Sequence, residues 1–169
     1  MAYILQVNKD GLKRCFAVYV AIAKKQAAET LLYVGKVGDN RAGCNPMISR
    51  CGNHFSYNDK HSQIRKKITD HEEREFTFVF DHFEAFDPDE IVRKRSVDQI
   101  NEIERQLNKS LQSTLQEESF GRLLNPFLDR VRVTPEERSR RKSLIVGSTT
   151  EKIDLIIDEV RAICTAARR

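Results

Sequence analysis

At 169 residues, 40% hydrophobic and 32% charged, the chain has the size and balance of one globular domain, which buries about two-thirds of the surface its unfolded form exposes. That balance excludes a disordered or collagen-like chain, and no apolar run reaches the roughly 18 to 20 residues that a membrane span requires. The net charge of +4 is mild but unevenly spread: bases gather at 60-KHSQIRKK-67, 92-VRKR-95 and 138-RSRRK-142, acids at 70-DHEERE-75 and 84-EAFDPDE-90. Such clusters are either solvated helix faces or a surface that follows phosphates.

The start, MAYILQVNKD, has no basic segment followed by an apolar one of signal-peptide length, so an intracellular, cytoplasmic protein with reduced cysteines is expected. Residues 3-YILQV-7 read as a short edge strand and 8-NKDG-11 as a turn. The runs 15-CFAVYVAI-22 and 31-LLYVGKV-37 are continuously apolar, with β-branched and aromatic members, and predict two strands buried on both faces. Their link, 23-AKKQAAET-30, is either a long hairpin connection or one helical turn, and a short link pairs the strands antiparallel.

After the loop 38-GDNRAGCNP-46, a short helix over 46–55 is expected, capped by Asn45 and frayed at Gly52. Asp59 is the expected cap of a second helix over 60–69, with Ile64 and Ile68 on one face. The run 75-EFTFVFDHF-83 predicts a third strand, with Phe76, Phe78, Phe80 and His82 on one side. From an N-cap at Ser96, the residues Val97, Ile100, Ile103, Leu107, Leu111 and Leu115 mark the inward stripe of a long helix. Glu104 lies on the margin of that stripe and needs a partner there, whereas Glu102 is expected to face solvent.

Gly121 and 125-NP-126 read as a turn and short helix, 134-TPEE-137 as a capping box, and 142–150 as strand or loop. A last helix over 151–169 carries Ile153, Ile156, Ile157, Val160 and Ile163 on one face and ends in arginines that suit a helix C-terminus. The order predicts an α/β (α+β) fold: a small central antiparallel three-stranded sheet flanked by helices, then a helical C-terminal extension.

With 17-AVY-19 and 33-YVG-35 in strands, Lys36 after the second, Arg50 and His54 four apart on a helix, Glu104 within 103-IERQL-107 and then Asn125, the chain resembles the GIY-YIG nuclease superfamily. The resemblance spans about residues 15 to 125, which makes 1–125 the nuclease-like domain and 126–169 an extension packed on it or mediating oligomerisation. It departs from the family at Ala17 and Val18, which replace Gly and Ile of the first motif. It implies a metal-dependent endonuclease that hydrolyses DNA phosphodiester bonds in restriction, repair or mobile-element biology, with DNA as partner and a possible homodimer. The implied catalytic residues are Tyr19, Tyr33, Arg50, His54 and Glu104, supported by Lys36 and Asn125, with Glu104 the ligand of Mg2+ (or Mn2+).

These residue types suit the chemistry. Magnesium takes oxygen ligands and often only one or two carboxylates when phosphate supplies more oxygens. The arginine fork matches phosphate. Free tyrosine titrates near pH 10 and free histidine near 6.5, so Tyr19, as base or water positioner, needs a neighbouring cation, whereas His54 accepts a proton near working pH. The long interval after Arg50 leaves Glu90, Asp98 and Glu102 as other carboxylates for the metal. Two further readings stand beside the nuclease: a catalytically silent nucleic-acid-binding or assembly module of the same fold, and a zinc site from Cys44, Cys51, His54 and His61, whose cysteines lie further apart than structural zinc sites usually place them.

Overall fold

Strands β1 (Cys15–Lys24) and β2 (Leu31–Val37) form an antiparallel hairpin buried at nearly every position. A strand covered on both faces has no polar side to alternate with, so its sequence is a continuous apolar run. The computed structural model describes residues 2, 4–39, 44–58, 60–128 and 133–166. Strand β3 (Glu75–Ala85) pairs antiparallel with β1, and β4 (Arg122–Leu123) lies parallel beside β2, giving the order β3-β1-β2-β4. This fourth strand corrects the three-stranded expectation. Two residues carry no readable periodicity, and they pair because Gly121 lets the backbone come close: a Cβ there would sit 3.0 Å from the Thr30 carbonyl oxygen.

The sheet separates two cores. On one face Phe16, Val18, Val20, Ile22, Leu32 and Val34 meet the stripe Ile100, Ile103, Leu107 and Leu111 of α3 (Glu90–Glu118). The same core takes Ile153, Ile156, Ile157 and Val160 of α5 (Gly147–Ala166). On the other face Ala17, Tyr19, Ala21, Tyr33 and Val37 meet Met47 of α1 (Met47–Phe55), Ile64 of α2 (Gln63–Lys67) and Ile68. Helix α4 (Pro135–Lys142) joins the outer helices through ion pairs: Asp98 of α3 receives Arg140 and, at 3.4 Å, Arg141. Thr134 caps it, its Oγ1 accepting from Glu137 N at 3.2 Å, while the Glu137 carboxylate takes Arg140 and Arg141.

Several local expectations are corrected. Residues 4–8 form no strand, and the turn after them is a 3-10 helix, Lys9–Leu12, capped by Asn8. The 24–31 link is a turn with Ala27 at φ 55°. Pro46, not Asn45, is the N-cap of α1, which runs unbroken through Gly52. Asp59 lies outside the described residues, and α2 starts only at Gln63. Helix α3 begins at Glu90, where Asp89 accepts from the amides of Ile91 and Val92 at 2.8 and 3.0 Å. Ser96 is an interior, buried residue whose hydroxyl donates to Val92 O at 3.1 Å. The first turns of α3 carry charge on every side, so no apolar stripe announced them. Residues 126–128 are not helical, and α5 starts earlier than 151, at Gly147. The terminal arginines lie outside the described residues. Among the described residues no helix is long and apolar enough to cross a membrane.

Because α5 completes one of the two cores, the segment after residue 125 shares the domain's interior. Its four buried side chains Ile153, Ile156, Ile157 and Val160 contribute roughly 6 to 12 kcal/mol as an upper estimate, comparable to the whole stability of about 5 to 15 kcal/mol usual for a domain. Deleting 126–169 is therefore expected to abolish cooperative unfolding, read by circular dichroism in a urea titration. A truncated chain that melts cooperatively near the full-length midpoint contradicts this.

Candidate functional site

In the β1–β2 ladder Tyr19 stands directly opposite Gly35. A Cβ on Gly35 would lie 2.3 Å from Tyr19 Oη, so the glycine leaves the space that the phenol fills. The ring can then lie across β2 and present its oxygen beyond it.

Helix α1 covers that oxygen. Its inward stripe holds Met47, Arg50, Cys51 and His54, so an arginine and a histidine occupy positions that packing alone would give to apolar residues. Arg50 Nε donates to Tyr19 Oη at 3.1 Å, and His54 Nε2 is hydrogen-bonded to the same oxygen. The His54 ring is fully buried, edge-on to Tyr33 with centroids 5.3 Å apart and beside Phe78 at 6.3 Å. Its Nδ1 has no hydrogen-bond partner among the described residues.

Lys36 and Tyr33 point to opposite faces of β2, being three residues apart. Lys36 Nζ donates to Glu104 Oε2 of α3 at 2.5 Å and lies 3.4 Å from Asp39 Oδ2. The two faces meet at this edge: Tyr33 is under the charges of Arg50, Glu104 and Lys36 together, and Tyr19 under those of Arg50 and Glu104. Tyr19, Tyr33, Lys36, Arg50, His54 and Glu104 thus come together. Asn125 stands next to them in a different role. Its amide accepts from Val34 N at 3.1 Å and donates to Val34 O at 2.8 Å, extending the β4 pairing by one residue, and Asn108 holds the Asn125 carbonyl at 2.9 Å.

Burial dominates the titration of the cluster. It pushes both phenols above the ordinary tyrosine value, against the opposing pull of Arg50. It pushes His54 down to about 3, with the Arg50 charge adding to it, which moves the imidazole away from working pH. For Lys36 burial works against the ammonium, but Glu104 and Asp39 outweigh it and hold the group above the ordinary lysine value.

The other carboxylates lie elsewhere. Glu90 opens α3, Asp98 is held by Arg140 and Arg141, and Glu102 is buried, not solvent-facing. Glu102 turns inward because Arg105 and Gln106 satisfy its oxygens, a partnership that helical spacing alone does not reveal. Cys44 packs in the core on the α3 side of the sheet, whereas Cys51 and His54 pack on the α1 side. Burial pushes the thiols of Cys44 and Cys51 up to about 11, which disfavours the thiolate that zinc takes. Among the described residues no group of three His, Cys, Asp or Glu side chains is placed to hold a metal.

Sequence reasoning missed four members of this arrangement: Gly35, which clears Tyr19; Asp39, which shares Lys36; Phe78, packed 5.9 Å from Tyr19; and Asn108, which holds Asn125. The glycine of 33-YVG-35 was in view, but only the ladder register shows which ring it serves. Compared with family models, with curated proteins and with solved structures, the chain matches none.

Gly35→Ala is expected to displace the Tyr19 ring and cost about 1 to 3 kcal/mol by overpacking, read as a lowered urea midpoint with an unchanged m-value. An unaltered midpoint would show that the ring yields without cost. His54 gives a pH signature of known sign. Its folded pKa lies below the unfolded value, so between pH 6.5 and 3 the unfolded chain binds a proton that the folded one does not, and stability falls as pH falls. The loss is roughly 3 kcal/mol on reaching pH 4. His54→Gln should flatten that part of the stability profile; equal slopes in both proteins would remove His54 as its source.

Proposed function

We propose that this protein is a metal-dependent endonuclease of the GIY-YIG type that hydrolyses DNA phosphodiester bonds. The observation that carries the reading is the convergence of Arg50 and His54 on Tyr19 Oη, beside Tyr33, Lys36 and Glu104 at one edge of the sheet. Apolar packing alone would not place a guanidinium and an imidazole on one buried phenol oxygen.

In this reading Arg50 keeps a permanent charge beside Tyr19 and offers its fork to a phosphate. The Tyr19 hydroxyl donates to His54 Nε2, with the imidazole in its Nδ1–H tautomer, which leaves a lone pair on Oη for a hydrogen of the attacking water. As the water's oxygen bonds to phosphorus, Tyr19 Oη holds it in place through that hydrogen bond and the water's proton passes to solvent. Tyr19 thus positions the water without ionising, and His54 holds the phenol without taking its proton, since burial opposes the phenolate and the imidazolium alike. The P–O bond to the departing oxygen breaks, and that oxygen takes a proton from solvent. Glu104 is a hard oxygen donor with one oxygen engaged by Lys36, and a single carboxylate suits magnesium or manganese when phosphate and water complete the set. Such an ion, when bound, stabilises charge on the phosphate oxygens.

A second reading, the silent binding or assembly module, is favoured by one observation: the Tyr19 side chain is fully buried, with its phenol pushed up by that burial. Incubating the protein with supercoiled plasmid in magnesium or in chelator separates the two. Magnesium-dependent nicking or linearisation is expected, with Glu104→Gln and Arg50→Ala each lowering the rate at least about a hundredfold while the fold persists. Salt-sensitive plasmid binding without cutting by any of these proteins would establish the silent module instead.

A further inference from the structure

Strand β3 is an edge strand, with no partner on its side away from β1 among the described residues. Hydrogen bonding along the sheet fixes which β3 groups point outward. Val34 and Leu32 bond away from β1, to Asn125 and Leu124, so Gly35 and Tyr33 bond toward β1 and are met by Tyr19 and Ala21. In β1 this leaves Val18, Val20 and Ile22 to bond β3, where their partners are Asp81, Val79 and Thr77. The N–H and C=O groups of Phe76, Phe78, Phe80 and His82 therefore face out of the sheet. At His82 both are satisfied: Asp81 Oδ1 accepts from the amide at 2.6 Å, and Lys152 Nζ donates to the carbonyl. Those of Phe76, Phe78 and Phe80 meet no partner among the described residues.

Three consecutive outward residues, each with a free donor and acceptor, suit one partner strand, and a second copy of β3 supplies it. We propose that two chains associate through antiparallel pairing of their β3 strands about a two-fold axis at Phe78. That axis sets Phe78 against Phe78 of the other copy and Phe76 against Phe80 in both directions, so all six outward groups on each chain are satisfied. Thr77 then faces Val79, and the half-buried Phe76, Phe78 and Phe80 side chains form a continuous aromatic ladder across the junction. Shifting the axis by one residue either way brings in His82, which Lys152 and Asp81 already close, or Arg74, whose amide already donates to His71 O at 3.3 Å. Strand β3 also lacks the lysine or proline that proteins place on edges they keep unpaired. One unfavourable contact comes with this register: exposed Glu75 faces Asp81 of the other copy. Phe78 packs on Tyr19 and His54, so the junction adjoins the second layer of each candidate site and puts both sites on one side of a continuous sheet.

The register makes the test specific. Sedimentation of the full chain over a concentration series should show a monomer–dimer equilibrium, with the amides of Phe76, Phe78 and Phe80 gaining protection from hydrogen exchange in the dimer. Phe76→Pro removes an outward amide without touching the β1 ladder and should yield a monomer. Glu75→Lys replaces the like-charge contact with an attractive one, twice per dimer, and should tighten association about tenfold at low salt. This second variant keeps the test decisive if the proline variant does not fold. A protein that stays monomeric throughout, or a dimer whose Phe76, Phe78 and Phe80 amides exchange as in the monomer, would overturn the proposal. Neither result depends on plasmid cleavage, so it stands or falls separately from the nuclease reading.

Discussion

Tyr19 occupies the space that Gly35 leaves by having no side chain, and the arrangement of the site follows from that fit. In the middle of a largely aliphatic β1–β2 ladder, a phenol needs room for its ring and a partner for its oxygen. The glycine provides the room. The partners come from α1, which must then turn Arg50 and His54 inward on the stripe that Met47 anchors. A buried hydroxyl with two hydrogen-bonding neighbours fixes helix, ring and strand relative to one another more tightly than apolar contact alone, because a misplaced group would leave a buried polar atom unsatisfied.

The second half of the cluster obeys a different constraint. Glu104 lies on the margin of the α3 stripe, where an ionised carboxylate is costly without a counter-charge, and Lys36 supplies one from β2. Since Lys36 and Tyr33 leave β2 on opposite faces, this pair and the phenol cluster come together only around the strand's edge. Asn125 makes that possible by ending the pairing beside β2: its amide takes the backbone groups at Val34, and beyond it Lys36 has no backbone partner on that side among the described residues. The site is thus a place where the sheet stops.

What could be read from the sequence and what could not divide along the same line. The strands β1, β2 and β3 and the stripes of α3 and α5 were legible because burial writes itself into the chain as apolar periodicity. The site residues were legible as types and spacings, Arg50 and His54 four apart and Glu104 on its stripe, and the structure brings them together with Tyr19, Tyr33 and Lys36. Elements held by backbone approach rather than side-chain pattern stayed hidden: β4, the charged first turns of α3 and the first turn of α5. Pairings between distant residues were hidden too. Glu102 reads as a surface acid until Arg105 and Gln106 are seen to close over it, and the imidazole of His54 reads as a near-neutral base until its burial is known.

The two edges of the sheet are finished in related ways. At the β2 edge a side-chain amide takes the last backbone groups after β4; at the β3 edge Lys152 from α5 and Asp81 take those of His82. In both cases the element that supplies or braces the plug comes from the C-terminal half of the chain: α5 carries Lys152, and Asn108 of α3 fixes Asn125. The C-terminal half of the chain therefore does more than cover one core. By closing part of each edge it limits the backbone left without a partner among the described residues to Lys36 beside the charged cluster on one side and Phe76, Phe78 and Phe80 on the other. A sheet of this size would otherwise present two indiscriminate edges; side-chain plugs shorten both.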